Sequence, residues 1–95
     1  MPQSISNNNI LTVKIRSPES TLFDGEAKSV SSINEKGRFD VLPQHAHFIS
    51  LIRDLLVIYD QQDKLKTIKI DSGVMRVLDN KVDVFLGIET LQEKL

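Results

Sequence analysis

Gly37-Arg38-Phe39-Asp40-Val41-Leu42-Pro43-Gln44-His45-Ala46-His47-Phe48 is the stretch whose reading decides the fold, because a turn, a period-two alternation and a strand stop follow one another within it. Gly37 has the freedom for the positive backbone dihedral of a tight turn. Phe39 and Val41 alternate with polar neighbours as on a half-buried strand, and Pro43 withholds an amide donor and ends the pairing. The segment therefore reads as the second arm of a hairpin, its first arm being Ala27 to Ile33 and its turn Asn34-Glu35-Lys36-Gly37. The two histidines fall just past a strand end, where side chains are anchored by a scaffold yet reachable from outside.

Working outward, the same period recurs. Leu11, Val13 and Ile15 alternate with Thr12, Lys14 and Arg16, which predicts a strand over 10–16 with one apolar and one polar face. Val82, Val84 and Leu86 repeat the pattern near the other end. Between them, Phe48 to Ile52 and Leu55 to Tyr59 are short apolar runs separated by Arg53-Asp54, for which β-branched content favours strand over a competing helix. Turn signals at Ser17-Pro18, Asp24-Gly25, Arg53-Asp54, Asp60 to Asp63, Ser72-Gly73 and Asp79-Asn80 recur about every 8 to 12 residues. The expectation is all-β: a two-layer β-sandwich or flattened barrel of about nine short strands over 10–87. A polar, disordered tail is expected at 1–9. At 88–95, Ile88, Leu91 and Leu95 fall at helical spacing, so a short helical or loose amphipathic tail is expected there.

Size and charge narrow the function classes. A chain of 95 residues forms one domain with a modest core, too small for a deep enclosed active site. The formal net charge of -1 gives no field directed at nucleic acid or an anionic membrane. Cysteine is absent, which removes disulfides and thiolate sites and fits a reducing compartment. No apolar run reaches the ~18 residues needed to span a bilayer, and the first residues lack the pattern of a signal peptide, so a soluble protein is expected.

Candidate chemistry is sparse. His45 and His47 form an H-x-H pair whose rings would share a direction on a strand, as β-barrel metal sites require. Catalytic zinc takes three protein ligands and structural zinc four, so a distant Asp40 or Asp24 would have to complete the site. The plainer reading makes one histidine a hydrogen-bonded loop residue and leaves the other exposed. No serine sits in a Gly-x-Ser-x-Gly elbow, and the four glycines at 25, 37, 73 and 87 are too scattered for a phosphate loop. The expectation is no catalytic residue, no metal and no cofactor.

Ser17-Pro18-Glu19, Leu22-Phe23-Asp24-Gly25, the turn into Gly37-x-Phe39, Val41-Leu42-Pro43-x-His45-Ala46, Ser72-Gly73-Val74-Met75-x-Val77 and Val82-x-Val84 follow one another in an order that resembles the amino-terminal β-sandwich of the epsilon subunit of F-type ATP synthases. The resemblance covers about 11 to 87. Departures are local: Phe39 and Asp40 replace a Leu-Gly pair, His47 replaces a common proline, Arg53-Asp54-Leu55 replaces a Lys-Pro-Gly turn, and the paired glycines are reduced to Ser72-Gly73.

The resemblance implies a non-catalytic subunit of the rotating central stalk, at the cytoplasmic face of a bacterial plasma membrane, which binds the gamma subunit and stands on the c-ring. It carries Arg38 and His45 over as c-ring contacts, with the charge at Arg38 reversed from the acidic residue common in the family. It points to Ser17 and Phe23 as gamma-subunit contacts. Many family members continue into a helical hairpin that inhibits hydrolysis or binds ATP, and the expectation here is that those roles are absent. Two alternatives compete: a free-standing β-sandwich that binds some other protein, and a small metal-dependent β-barrel enzyme built on His45 and His47.

Overall fold

Alternating residues close on themselves in a computed structural model that describes residues 9–44 and 47–87. Six strands make up these residues: β1 (Leu11–Arg16), β2 (Thr21–Asn34), β3 (Gly37–Val41), β4 (Phe48–Asp60), β5 (Leu65–Leu78) and β6 (Lys81–Leu86). Their order is β1-β6-β5-β4-β2-β3, and β1 also pairs with β2, so five strands form a closed sheet to which β3 is added. All pairings are antiparallel except β1 with β6. The all-β sandwich or barrel expected from the alternation is the observed architecture. Residues 1–8 and 88–95, expected as tails, lie outside the described residues, as does His45.

Six strands stand where about nine were expected, because three of the turn signals lie inside long strands. Asp24-Gly25 runs straight through β2, with Gly25 opposite Val13 and Asp24 opposite Lys14. At Arg53-Asp54 the chain bulges without turning: Asp54 takes φ 73°, and the partner register jumps from Ser72 to Ile70. A bulge of this kind bends a strand and increases its twist while leaving it paired on both sides of the irregularity. Ser72-Gly73 lies in the same bend of β5. Long, bent strands let β2, β4 and β5 contribute to both layers, which is how so short a chain closes a core.

Register assigns each strand one inward face. One inner row runs Ser50, Met75, Val84, Ile15, Phe23 across five strand segments, and the next runs Phe48, Val77, Val82, Val13, Gly25. Most of these side chains are buried, and with Leu11, Ala27, Val30, Val41, Ile52, Leu56, Ile58 and Leu86 they form a single core cluster. Phe39 and Phe48 meet edge to face at 6.1 Å where the two layers join. Ser32, fully buried among these residues, donates its hydroxyl to the Leu55 carbonyl at 2.7 Å. Among the described residues no buried side-chain polar atom lacks a partner.

Candidate docking surface

The turn that opens the sequence argument behaves as read: Gly37 takes φ 116° and β3 starts there. Arg38 follows and pairs with Ile33 of β2, which pairs in turn with Arg53 of β4. Directly paired residues share a face, so Arg38, Ile33 and Arg53 form one outward row in which both arginines are exposed and their backbones stand two strand spacings, about 10 Å, apart. Neither has an ion pair among the described residues. Their repulsion in water at that distance is only about 0.4 kcal/mol, so the row is tolerated without a counter-charge.

Arg53 also lines an open groove of about 730 Å³ between the β2–β3 turn, at Asn34, Glu35 and Lys36, and the first half of β4. Asn34 donates its side-chain amide to the Ser50 hydroxyl across it at 3.2 Å. Beyond Arg53 the β2–β4 pairing stops, so among the described residues no strand covers that edge of β4 over residues 49–52. Ile49 and Leu51, which point outward here, are each 69% exposed.

The remaining predicted site residues fall elsewhere. Ser17 is held in a tight turn, its amide donating to the Ser20 carbonyl at 2.8 Å and its hydroxyl accepting from the Ser20 amide at 3.2 Å. Phe23 lies opposite Ile15 on an inner row and packs half-buried against the core, with the Lys66 ammonium 5.6 Å from its ring centre. The flanks of His45 are tied to the β5–β6 turn: the Gln44 amide donates to Asn80 Oδ1 at 2.6 Å, and His47 Nε2 lies 3.3 Å from Asp79 Oδ1. Arg38 lies at the start of β3, and Gln44 lies beyond its other end. The described residues contain no group of three or more His, Asp or Glu side chains that could hold a metal.

Sequence reasoning missed the most exposed apolar feature. On the outer face Leu51 pairs with Val74, Val74 with Phe85, and Phe85 with Arg16, whose guanidinium lies 5.1 Å over the Phe85 ring. The neighbouring outer row runs Ile49, Arg76, Asp83, Lys14, Asp24, an alternation of charge in which Arg76 pairs with Asp83 at 3.0 Å and Lys14 with Asp24 at 3.9 Å. The only hint in the sequence was that apolar residues occupied both parities of 48–52 and of 82–86.

The class the structure defines is a closed, mostly antiparallel β-sandwich with an open groove beside β4 and an apolar row on its outer face. Comparison with known families gives the particular one. The model of the ATP synthase delta/epsilon chain β-sandwich domain matches residues 10–87, and the chain belongs to that family. It is 31% identical over 85 residues to the ATP synthase epsilon chain of Leptospira borgpetersenii, a match covering 90% of this chain and 67% of the relative. With the epsilon chain of Nitratiruptor it shares 36% identity over 72 residues, covering 75% of this chain and 56% of that one. The matched residues thus span 67% and 56% of these two relatives' length.

Two solved structures share the fold. One is a chain in the Euglena gracilis mitochondrial ATP synthase structure containing OSCP, F1 and c-ring, with TM-score 0.77, 14% identity, and coverage of 90% of this chain and 61% of that chain. The other is in the central stalk and c-ring structure of the Tetrahymena thermophila mitochondrial ATP synthase, with TM-score 0.66, 11% identity, and coverage of 80% and 62%. No helix among the described residues is long and apolar enough to cross a membrane.

Proposed function

We propose that this chain is a non-catalytic subunit of the central stalk of an F-type ATP synthase, binding the gamma subunit and the c-ring and coupling ion translocation to ATP synthesis. The single observation that carries the reading is the family match over 10–87, which takes in every strand of the closed sheet. A stalk component transmits torque, and a closed sheet with a continuous core resists deformation because any hinge would have to break packed contacts on both layers. On this reading the domain works as a peripheral part of the complex at the cytoplasmic face of a bacterial plasma membrane. Arg38 and His45 are its proposed c-ring contacts, and Ser17 and Phe23 its proposed gamma contacts.

The test is titration calorimetry of the chain against the gamma subunit from the same genome, with metal removed from both. One-to-one binding is expected. A folded gamma subunit that takes up no heat and does not co-elute would remove the stalk assignment and leave the fold.

A further inference from the structure

Two contacts fasten the connection between β3 and β4 to the turn between β5 and β6, and they differ in kind. The Gln44 amide donates to Asn80 Oδ1 at 2.6 Å, a bond between neutral groups. His47 Nε2 lies 3.3 Å from Asp79 Oδ1, a contact between a titratable base and a carboxylate. The connection is thus held at two of its own positions by adjacent residues of one turn.

The turn is a firm anchor. Asp79 and Asn80 take φ 50° and 62°, the pair of positive dihedrals that lets a two-residue turn join antiparallel strands, and Leu78 pairs with Lys81 across it. The Asn80 carbonyl also accepts from the Thr12 amide at 2.9 Å, which ties the turn to β1. The connection depends more on its surroundings. Gln44 takes φ 65°, a conformation that costs a residue with a side chain and persists only where neighbours hold it. A weaker contact therefore loosens the connection and leaves the turn in place.

Of the two contacts, one responds to pH near neutrality, because an imidazole changes its charge between pH 5 and 8. With the ring charged, the contact to Asp79 is an ion pair with a charge-assisted hydrogen bond. With the ring neutral, it is an ordinary hydrogen bond of about half that strength. The charged groups on the neighbouring strands are engaged elsewhere or stand apart. Arg76 of β5 binds Asp83 of β6 at 3.0 Å, Lys14 of β1 pairs with Asp24 of β2 at 3.9 Å, and Asp40 of β3 accepts from the Ser31 hydroxyl. Lys81 of β6 and Glu26 of β2 lie on either side of Thr12. Among the described residues, Asp79 is the acid in contact with His47. Exposure sets the size of the effect: the two side chains are 56% and 78% exposed, so the contact changes by a small factor and is not all-or-none.

We infer that His47 and Asp79 form a pH-sensitive tie that fastens the β3–β4 connection to the β5–β6 turn more firmly at pH 5.5 than at pH 8, while the Gln44–Asn80 bond holds it at both. The inference is independent of the stalk reading, since it concerns two contacts within the chain itself. Its consequence is that the surface beside the connection, where Leu42 stands exposed, is presented more rigidly in mild acid.

The experiment is solvent exchange of the Gln44 amide in the full chain, followed by NMR at pH 5.5 and 8 in low salt. Protection is corrected for the intrinsic pH dependence of exchange and taken relative to the core amide of Val84, so that a change in global stability drops out. Expected is about two- to fivefold higher protection at pH 5.5, the range of an exposed ion pair, with the ratio falling toward one as salt is raised. Asp79→Asn keeps a short acceptor side chain that tolerates positive φ but removes the charge, and His47→Gln keeps an N–H donor without a charge. Each should abolish the pH dependence. His45→Gln, which removes the other imidazole of the chain, should leave it intact. Both tie positions are exposed, and two independent variants protect the test against a folding defect in one. Equal protection at the two pH values in the parent would overturn the inference, and so would a pH dependence that survives in folded Asp79→Asn or His47→Gln. Loss of the dependence in His45→Gln with its retention in His47→Gln would assign it to the other imidazole and overturn the inference as well.

Discussion

Gly73 and Leu86 face each other across the β5–β6 pair so closely that a Cβ on Gly73 would lie 2.7 Å from the Leu86 Cδ2 and 2.8 Å from the Phe85 carbonyl oxygen. A side chain could move; the carbonyl belongs to a paired strand and resists moving. Gly73→Ala should therefore destabilise the domain by about 1–3 kcal/mol through overpacking. Urea unfolding midpoints of the two proteins check it, and an unchanged midpoint would mean that β6 shifts freely.

Leu56 is fully buried in β4, flanked on the inner face by the core residues Ile52 and Ile58. Leu56→Ala removes its packing and leaves a cavity, at a cost of about 2–5 kcal/mol. For a single small domain that is a large share of total stability. Thermal melts followed by circular dichroism should show a drop in midpoint of many degrees.

Phe23→Ala separates a packing role from an interface role. Because the ring is half-buried against Ile15 and the Lys66 ammonium, its loss should cost about 2 kcal/mol of stability, below the full burial value for an aromatic. If Phe23 is the gamma contact proposed above, gamma affinity measured below the melting transition should fall as well. A loss of stability with unchanged affinity would withdraw Phe23 as a contact.

Asp63 in the β4–β5 turn accepts hydrogen bonds from Lys28 Nζ at 2.5 Å and from the Tyr59 hydroxyl at 3.0 Å. Those hydrogen bonds, Lys28 first, hold the Asp63 carboxyl below its ordinary value, and the bond to Asp63 holds both Lys28 and Tyr59 above theirs. A depressed carboxylate contributes stability above its unfolded pKa and loses it as pH falls through the folded value. The raised lysine and phenol contribute below their unfolded values and lose it as pH rises through the folded ones. The stability difference between the parent and Asp63→Ala should therefore be flat from about pH 5 to 9 and shrink below about pH 4 and above about pH 10. All three groups are exposed, so the plateau should be small and reduced by salt. Melting temperatures across that range, at low and high salt, provide the readout.

Arg38 and Arg53 flank Ile33 in one row without acidic partners among the described residues. If the c-ring docks on Arg38, Arg53 should share the load. Arg38→Glu and Arg53→Glu are each expected to weaken association with detergent-solubilised c-ring on the order of tenfold at low salt, with the loss shrinking as salt is raised. Equal binding by parent and variants would withdraw Arg38 from the c-ring contacts.

Much of the sheet was legible because period two is a local property: Leu11, Val13 and Ile15 announce an inward face whatever they pack against. The hairpin at Asn34 to Gly37 was legible for the same reason, its turn chemistry being written in four adjacent residues. The strand count was not. Asp24-Gly25, Arg53-Asp54 and Ser72-Gly73 have the local chemistry of turns, but pairing on both flanks outweighs a turn preference and draws each into a continuous or bulged strand.

The docking surface divides along the same line. By itself the sequence determined an all-β domain of this family, with a tight turn before Arg38, because alternation, glycine and proline act through the few bonds around each residue. Only the tertiary structure decided that Phe23 faces inward beside Ile15, that Arg53 joins Arg38 in one row, and that Leu51, Val74 and Phe85 meet on the outer face. Those three residues stand far apart along the chain and come together through strand register. Register is a global outcome: a shift of one residue would send each side chain to the opposite face, and it is the closed core that forbids the shift.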